Sequence, residues 1–255
     1  MLIDSHTHLY SEEFDRDIEQ VIQRANDAGV KKFYLPAIDS GYTERMFALE
    51  AKYPEQMRPM MGLHPTSVKP ESVESELEKV KDWLDKRTFS AVGEIGIDLY
   101  WDKTTLQIQQ QAFKKQIGWA KEKGLPIVIH CRESFDEIFE ILEEEKDGQL
   151  FGIFHCFTGS KEQAEKAIGF NMKIGIGGVV TFKNGKIDQF LNEIPIENIV
   201  LETDSPYLAP VPYRGKRNES SYLTNVVEKL VDIYGLSEKE IAQLTTRNAL
   251  SVFAN

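Results

Sequence analysis

Ile3-Asp4-Ser5-His6-Thr7-His8 sets two histidines two residues apart at the end of the first apolar run of the chain. Residues i and i+2 of a strand share a face, so the two imidazoles are expected side by side. Two neutral imidazoles converging from one strand end supply half of a transition-metal site. The arrangement, a short β-branched run ending in polar side chains, recurs. Candidate strands are Leu2–Ser5, Lys32–Ala37, Arg58–Gly62, Ser90–Glu94, Pro126–His130, Phe151–His155, Met172–Ile176 and Ile199–Glu202. They are spaced by about 20–35 residues, with segments of helical apolar period between them.

Ile18, Val21, Ile22 and Ala25 share one helical face before Gly29; Phe113, Ile117 and Ala120 do so before Gly124-Leu125-Pro126. Ile138, Ile141 and Leu142 line a third helix, and Ser237-Glu238-Lys239-Glu240 reads as a capping box opening the last one. Strand–helix alternation repeated eight times predicts an α/β fold with a parallel sheet closed into a single (β/α)8 TIM barrel. A doubly wound open sheet is the other α/β solution, but no G-x-G-x-x-G follows any strand. Neither linker nor composition shift divides the chain, so residues 1–255 are expected to form one domain. The longest irregular stretch, Ser205–Ser221, is rich in Pro, Gly and Arg, and a loop of that length in a compact domain is often functional.

The 255 residues are 41% hydrophobic and 28% charged, an ordinary globular balance. No apolar stretch approaches the ~20 residues of a membrane span, and the N-terminus has no signal-peptide pattern, so a cytoplasmic, non-membrane protein is expected. No leftover apolar stripe marks a dimer face, which predicts a monomer. A net charge of −11 disfavours a broad nucleic-acid-coating surface but leaves room for a catalytic mouth whose cations are metal ions. Cys131 and Cys156 each follow a histidine, and alternation turns them away from any cavity the histidines face, as free thiols.

The polar residues that end these strands are His6 and His8, His64, Glu94, His130, His155 and Asp204, and they include all five histidines. In a barrel the carboxyl ends of the strands form one rim, so these side chains converge. Imidazole plus carboxylate suits divalent ions such as Zn or Mn, and the set exceeds the needs of one tetrahedral ion. Glu94 can bridge two ions, a pair of which activates water for hydrolysis, while Asp204 can take the water's proton. Arg132, two residues past His130, leans toward the same mouth, and Tyr100 and Trp101, just past Glu94, read equally as a stack for a base or as a packed loop. Arg214, Lys216, Arg217 and Asn218 concentrate positive charge just after Asp204 and read as a phosphate-gripping arm.

Taken together, the chain resembles the TatD family of metal-dependent deoxyribonucleases, within the amidohydrolase-like barrels. The motifs are Asp4-Ser5-His6-Thr7-His8, Gly62-Leu63-His64-Pro65, Gly93-Glu94-Ile95-Gly96-Ile97-Asp98, Pro126–His130 with Arg132, His155-Cys156-Phe157-Thr158-Gly159-Ser160, Glu202–Leu208 and Arg214–Asn218. The resemblance implies two divalent ions (Zn, Mn or Mg) and hydrolysis of phosphodiester bonds in DNA, as a 3′–5′ exonuclease on single strands or 3′ ends. It implies one ion at His6, His8 and Asp204, a second at His130 and His155, and Glu94 between them. His64 is then an active-site residue beside the scissile phosphate. Where relatives often read Asn-Glu-Pro, this chain has Asn218-Glu219-Ser220, which on that comparison loosens the arm. Two other readings compete: an amidohydrolase of a small amide, lactone or ester, and a non-catalytic scaffold that keeps its metals for stability. The cationic arm suits a polyanion better than a neutral ring.

Overall fold

In a computed structural model, which describes residues 1–253, eight strands run parallel in chain order; the last two residues of the expected 1–255 domain lie outside the described residues. The order is β1 (Leu2–Asp4), α1 (Ile18–Asp27), β2 (Val30–Leu35), α2 (Thr43–Lys52), β3 (Met57–Pro59), α3 (Val73–Lys86), β4 (Val92–Asp98) and α4 (Leu106–Lys123). It continues with β5 (Ile127–Arg132), α5 (Phe135–Glu144), β6 (Gly152–Phe154), α6 (Lys161–Gly169), β7 (Met172–Ile176), β8 (Ile199–Leu201), α7 (Leu223–Tyr234) and α8 (Glu238–Phe253). Strands β1 to β3 and β4 to β8 each form a continuous ladder. A parallel bridge between Met61 and Val92 joins the ladders on one side. On the other, Ser5 N–H donates to Leu201 O at 2.9 Å and Asp204 N–H to His6 O at 2.9 Å. The architecture is the (β/α)8 barrel.

Two apolar clusters match its two layers. One packs the helices against the strands and includes the fully buried Phe14, Phe33, Phe113 and Phe154, each worth about 2–3 kcal/mol in removed apolar surface. The other takes Ile3, Tyr34, Met60, Val128, Ile153 and Val200 from on or beside six strands, with Val252 and Phe253 of α8 against them. Phe253 stacks on Tyr34 at 3.8 Å. Because Val128 and His130 share a face of β5, this inner core is continuous with the site above it.

Helix signals behave locally. Gly124 ends α4 at φ +65°, and Ser237 with Glu240 closes the reciprocal cap of α8. Two departures stand out. After β7 the chain makes 3-10 turns at Gly178–Thr181, Ile187–Gln189, Leu191–Glu193 and Ile196–Asn198 in place of a seventh crossover α-helix. Asn184-Gly185 and Pro195 interrupt any helical run there. The first strand also ends at Asp4, so His6 and His8 lie in the following loop and strand alternation does not aim them.

Candidate metal centre

Glu94 stands inside β4, not at its end, with Gly96 and Asp98 on the same face. Gly96 permits this: its φ is +142°, and a Cβ there would meet His130 O at 2.1 Å. The close approach seats Gly96 against His130 and Asp98 against Arg132 in the ladder.

The carboxylate of Glu94, 1% exposed, is shared between two groups of imidazoles. Its Oε2 lies 3.0 Å from His6 Nε2 and 3.7 Å from His8 Nε2. Its Oε1 lies 2.8 Å from His130 Nδ1, 3.2 Å from His64 Nε2 and 3.4 Å from His155 Nε2. Asp204 Oδ1 closes the first group at 3.7 Å from His6 Nε2 and 3.5 Å from His8 Nε2. Donor atoms that can hold an ion fall into overlapping sets, among them His6, His8 and Asp204, and His64, Glu94 and His130.

The outer nitrogens show which way each ring's lone pair faces. His130 Nε2–H donates to Asp98 Oδ2 at 2.8 Å, leaving Nδ1 toward Glu94. His8 Nδ1 meets the Tyr10 hydroxyl at 2.8 Å, and that hydroxyl donates to Pro36 O, so His8 Nε2 is free to face inward. His155 Nδ1 lies 3.1 Å from Glu202 Oε1, again leaving Nε2 inward. A carboxylate or carbonyl behind a ligating imidazole fixes its tautomer this way. His64 is the reverse. Its Nδ1 accepts the Thr66 backbone N–H at 3.1 Å, so the neutral ring carries its proton on Nε2 and presents a donor, not a lone pair, to the centre.

Charge and burial fit a cation. His6 makes no hydrogen bond through either ring nitrogen although its Nε2 is close to Glu94, and His155 Nδ1 and Glu202 Oε2 are likewise buried without a hydrogen bond. His6 Nε2, close to Glu94 and making no hydrogen bond, is thus left for a cation. Burial drives His6 toward its neutral, ligating form, with His155 adding to the effect. Burial opposes ionisation of Glu94, but His64, His155 and His6 overcome it and hold the carboxyl well below its usual range. Burial also disfavours charge on His155, yet Glu202, Glu94 and Asp204 push it up to about 10. The excess of buried negative charge draws in a proton where a metal ion would sit.

Backbone strain is concentrated here: Asp204 has φ +56° and Cys156 φ +42°, both left-handed without being glycine. Asp4, fully buried, ties the end of β1 to the Asp204 turn by accepting Thr203 N–H at 2.9 Å and the Thr203 and Ser220 hydroxyls at 2.6 Å each. Its carboxyl is pushed up to about 7 by burial.

The centre opens into a cavity of about 690 Å³, within the size range of ligand sites, lined among others by His8, His64, Glu94, His130, Arg132, His155 and Asp204. The structure does not bring the expected arm there. Arg217 pairs with Asp17 at 2.7 Å and covers Phe14, Arg214 lies over Phe182, and Lys216 sits beside Tyr213, none of them lining the cavity. Asn218 is buried, donating to Thr203 O and Tyr207 O at 2.7 Å each. Nor does the arm loosen at the missing proline, since the buried Ser220 hydroxyl fastens it to Asp4. Both thiols reach the cavity wall, where alternation was expected to turn them away: Cys131 also packs against the outer apolar cluster and accepts from Ser134, and Cys156 sits beside His155 and Asp204. The left-handed φ of Cys156 breaks that alternation. Asp98 and Glu202 escaped the sequence reading, though each was findable: Asp98 lies four residues past Glu94 on one strand face, and Glu202 two before Asp204.

A parallel barrel with buried imidazoles and carboxylates converging at its carboxyl rim is the framework of a metal-dependent hydrolase. More narrowly, the TatD related DNase family matches residues 3–254, and the chain belongs to that family. It is 38% identical over 254 residues to the uncharacterized metal-dependent hydrolase YabD of Bacillus subtilis, covering 99% of both chains. It is 27% identical to the 3′-5′ ssDNA/RNA exonuclease TatD of Pectobacterium carotovorum, again over 99% of each. Among solved structures, the TatD homologue YjjV of Escherichia coli superposes with a TM-score of 0.92 at 30% identity, covering 100% of this chain and 98% of that one. No helix among the described residues is long and apolar enough to cross a membrane.

Proposed function

We infer that this metal-dependent hydrolase cleaves phosphodiester bonds of DNA, working from a 3′ end as a cytoplasmic, monomeric, single-domain 3′–5′ exonuclease. The observation that carries the reading is the division of Glu94, one oxygen toward His6 and His8 and the other toward His130 and His155. That geometry suits a carboxylate bridging two divalent ions, Zn, Mn or Mg, with Asp204 completing the first set. When bound, such a pair lowers the pKa of an attacking water and offsets charge on the phosphoryl oxygens. The name borne by the Pectobacterium relative supports the choice of nucleic acid.

The protein's own groups do the rest. Burial opposes ionisation of Asp204, but His155 and His8 hold its carboxyl below the usual range, so at neutral pH it is a carboxylate able to take the water's proton. His64 directs its Nε2–H at the centre and can donate to a non-bridging phosphate oxygen. Arg132, at the exposed end of β5, can meet the next phosphate.

End-labelled single-stranded DNA, incubated with chelated enzyme and with enzyme given Mn, Mg or Zn, tests this. Nucleotide release is expected only with metal, and Asp204→Asn should lower it on the order of a thousandfold. Release that persists in chelator or survives the substitution would overturn the assignment.

A further inference from the structure

Apart from Met1, the large apolar side chains standing in solvent among the described residues fall in two loops near the cavity. Tyr100 and Trp101 follow β4, and Tyr207, Leu208 and Val211 follow β8. Trp101, Tyr207 and Leu208 line the cavity itself, opposite walls of one mouth. Exposed apolar surface gathered at the rim of a site marks a ligand with apolar faces. Trp101 is 69% and Tyr100 51% exposed, with ring centres 5.0 Å apart and planes at 88°, an edge-to-face pair whose larger ring stands mostly in solvent. The Arg132 guanidinium lies 3.8 Å from the Tyr100 ring centre and 5.6 Å from that of Trp101. Among the described residues no carboxylate pairs with it, which leaves a cation available in a strongly acidic chain.

One buried carboxylate connects this cluster to the metal centre. Asp98 Oδ1 accepts the backbone N–H of Tyr100 at 3.0 Å and of Trp101 at 3.1 Å, while Oδ2 accepts His130 Nε2–H at 2.8 Å. The aromatic loop and the imidazole are thus held by two oxygens of the same group.

We propose that Tyr100, Trp101 and Arg132 form a stacking platform for the unpaired base of the terminal DNA nucleotide being removed, with Asp98 as the positioning residue that sets the platform against the metal centre. The proposal rests on the nuclease reading above. Aromatic and guanidinium planes stack on any base whose face is free, and in a duplex those faces are covered by neighbouring pairs. The cation suits the polyanion on which the base is carried. The platform therefore selects single strands by shape, with little preference among bases.

The test crosses enzyme and substrate. Rates are measured for the wild type and Trp101→Ala on a single-stranded DNA oligonucleotide, and on the same strand with an abasic terminal nucleotide. Each deletion alone should raise KM on the order of tenfold, and the two together little more than one. An unchanged KM in Trp101→Ala, or losses that multiply, would overturn the platform. Should the wild type cleave no DNA, the nuclease reading falls by itself. The same four combinations, scored as Kd from the anisotropy of a labelled phosphorothioate strand, then decide the platform by the same criterion.

Discussion

Two regions of this chain pair arginine with aromatic rings, and they do opposite things. The segment 213–217 carries more positive charge in sequence, yet none of its cations lines the cavity. Arg217 is neutralised by Asp17 and packed over Phe14, Arg214 lies over Phe182, and Tyr213 stacks on Tyr222 at 4.0 Å. The neighbouring Glu219 is bound by Arg24 at 2.6 Å. The pair of loops around Arg132 has a single cation, but it faces the cavity unpaired beside two exposed rings. Charge that can be counted in a sequence is not charge a ligand can use. What decides is where the fold sets it, and for Arg217 also that a carboxylate reaches it first.

The contrast can be broken at three points, beginning with the largest effect. Asp98→Asn keeps the shape of the side chain but weakens the acceptor behind His130 and beneath the Tyr100–Trp101 turn. Activity should fall about 10- to 100-fold, the range for residues that orient metal ligands. Both kcat and KM should worsen, with a matching loss of metal affinity by calorimetry. A change in kcat with KM and metal affinity intact would separate the centre from the platform.

Asn218→Ala acts on the other region. It leaves Thr203 O and Tyr207 O without their buried donor, and should cost about 2–3 kcal/mol in urea unfolding. An unchanged urea midpoint would mean that Asn218 does not clamp the Asp204 turn.

The smallest effect belongs to Arg217→Ala, about 1 kcal/mol for a partly exposed bidentate pair, with KM on single-stranded DNA changed less than twofold. Its pH dependence has a definite sign. The hydrogen bond and charge of Arg217 hold the Asp17 carboxyl below its ordinary value, with the smaller cost of burial opposing them. A depressed carboxylate stabilises the fold fully above its unfolded pKa near 4 and loses that contribution as pH falls through the folded value. The gap in urea midpoint between wild type and Arg217→Ala should therefore be wide at pH 7 and shrink below pH 4. A gap that grows on acidification, or a large rise in KM, would return the arm to the substrate.

Much of the architecture is legible without coordinates because strand and helix periods are local. Met172–Ile176 is the strand read from its β-branched run, and Gly124 and the Ser237–Glu240 box end and begin helices through contacts within a few residues. The apolar run Ser90–Glu94 puts Glu94 at a strand end, but it lies in the interior of β4, because the Gly96 approach to His130 lets pairing continue to Asp98. His6 and His8 reach the centre from a loop, aimed by Asp4 and by the Asp204 N–H bond to His6 O. Those contacts join residues about two hundred positions apart, beyond any local pattern.

The alternation that makes a barrel, and the residue types that gather at one rim, follow from periods of two and 3.6 and from chain order, and so are written locally. Which nitrogen of His8, His64, His130 and His155 faces inward is not written locally. That choice depends on Asp98, Glu202, Tyr10 and the Thr66 N–H, second partners supplied by packing. Packing, too, set Arg132 at the mouth of the cavity and held Arg214 and Arg217 away from it.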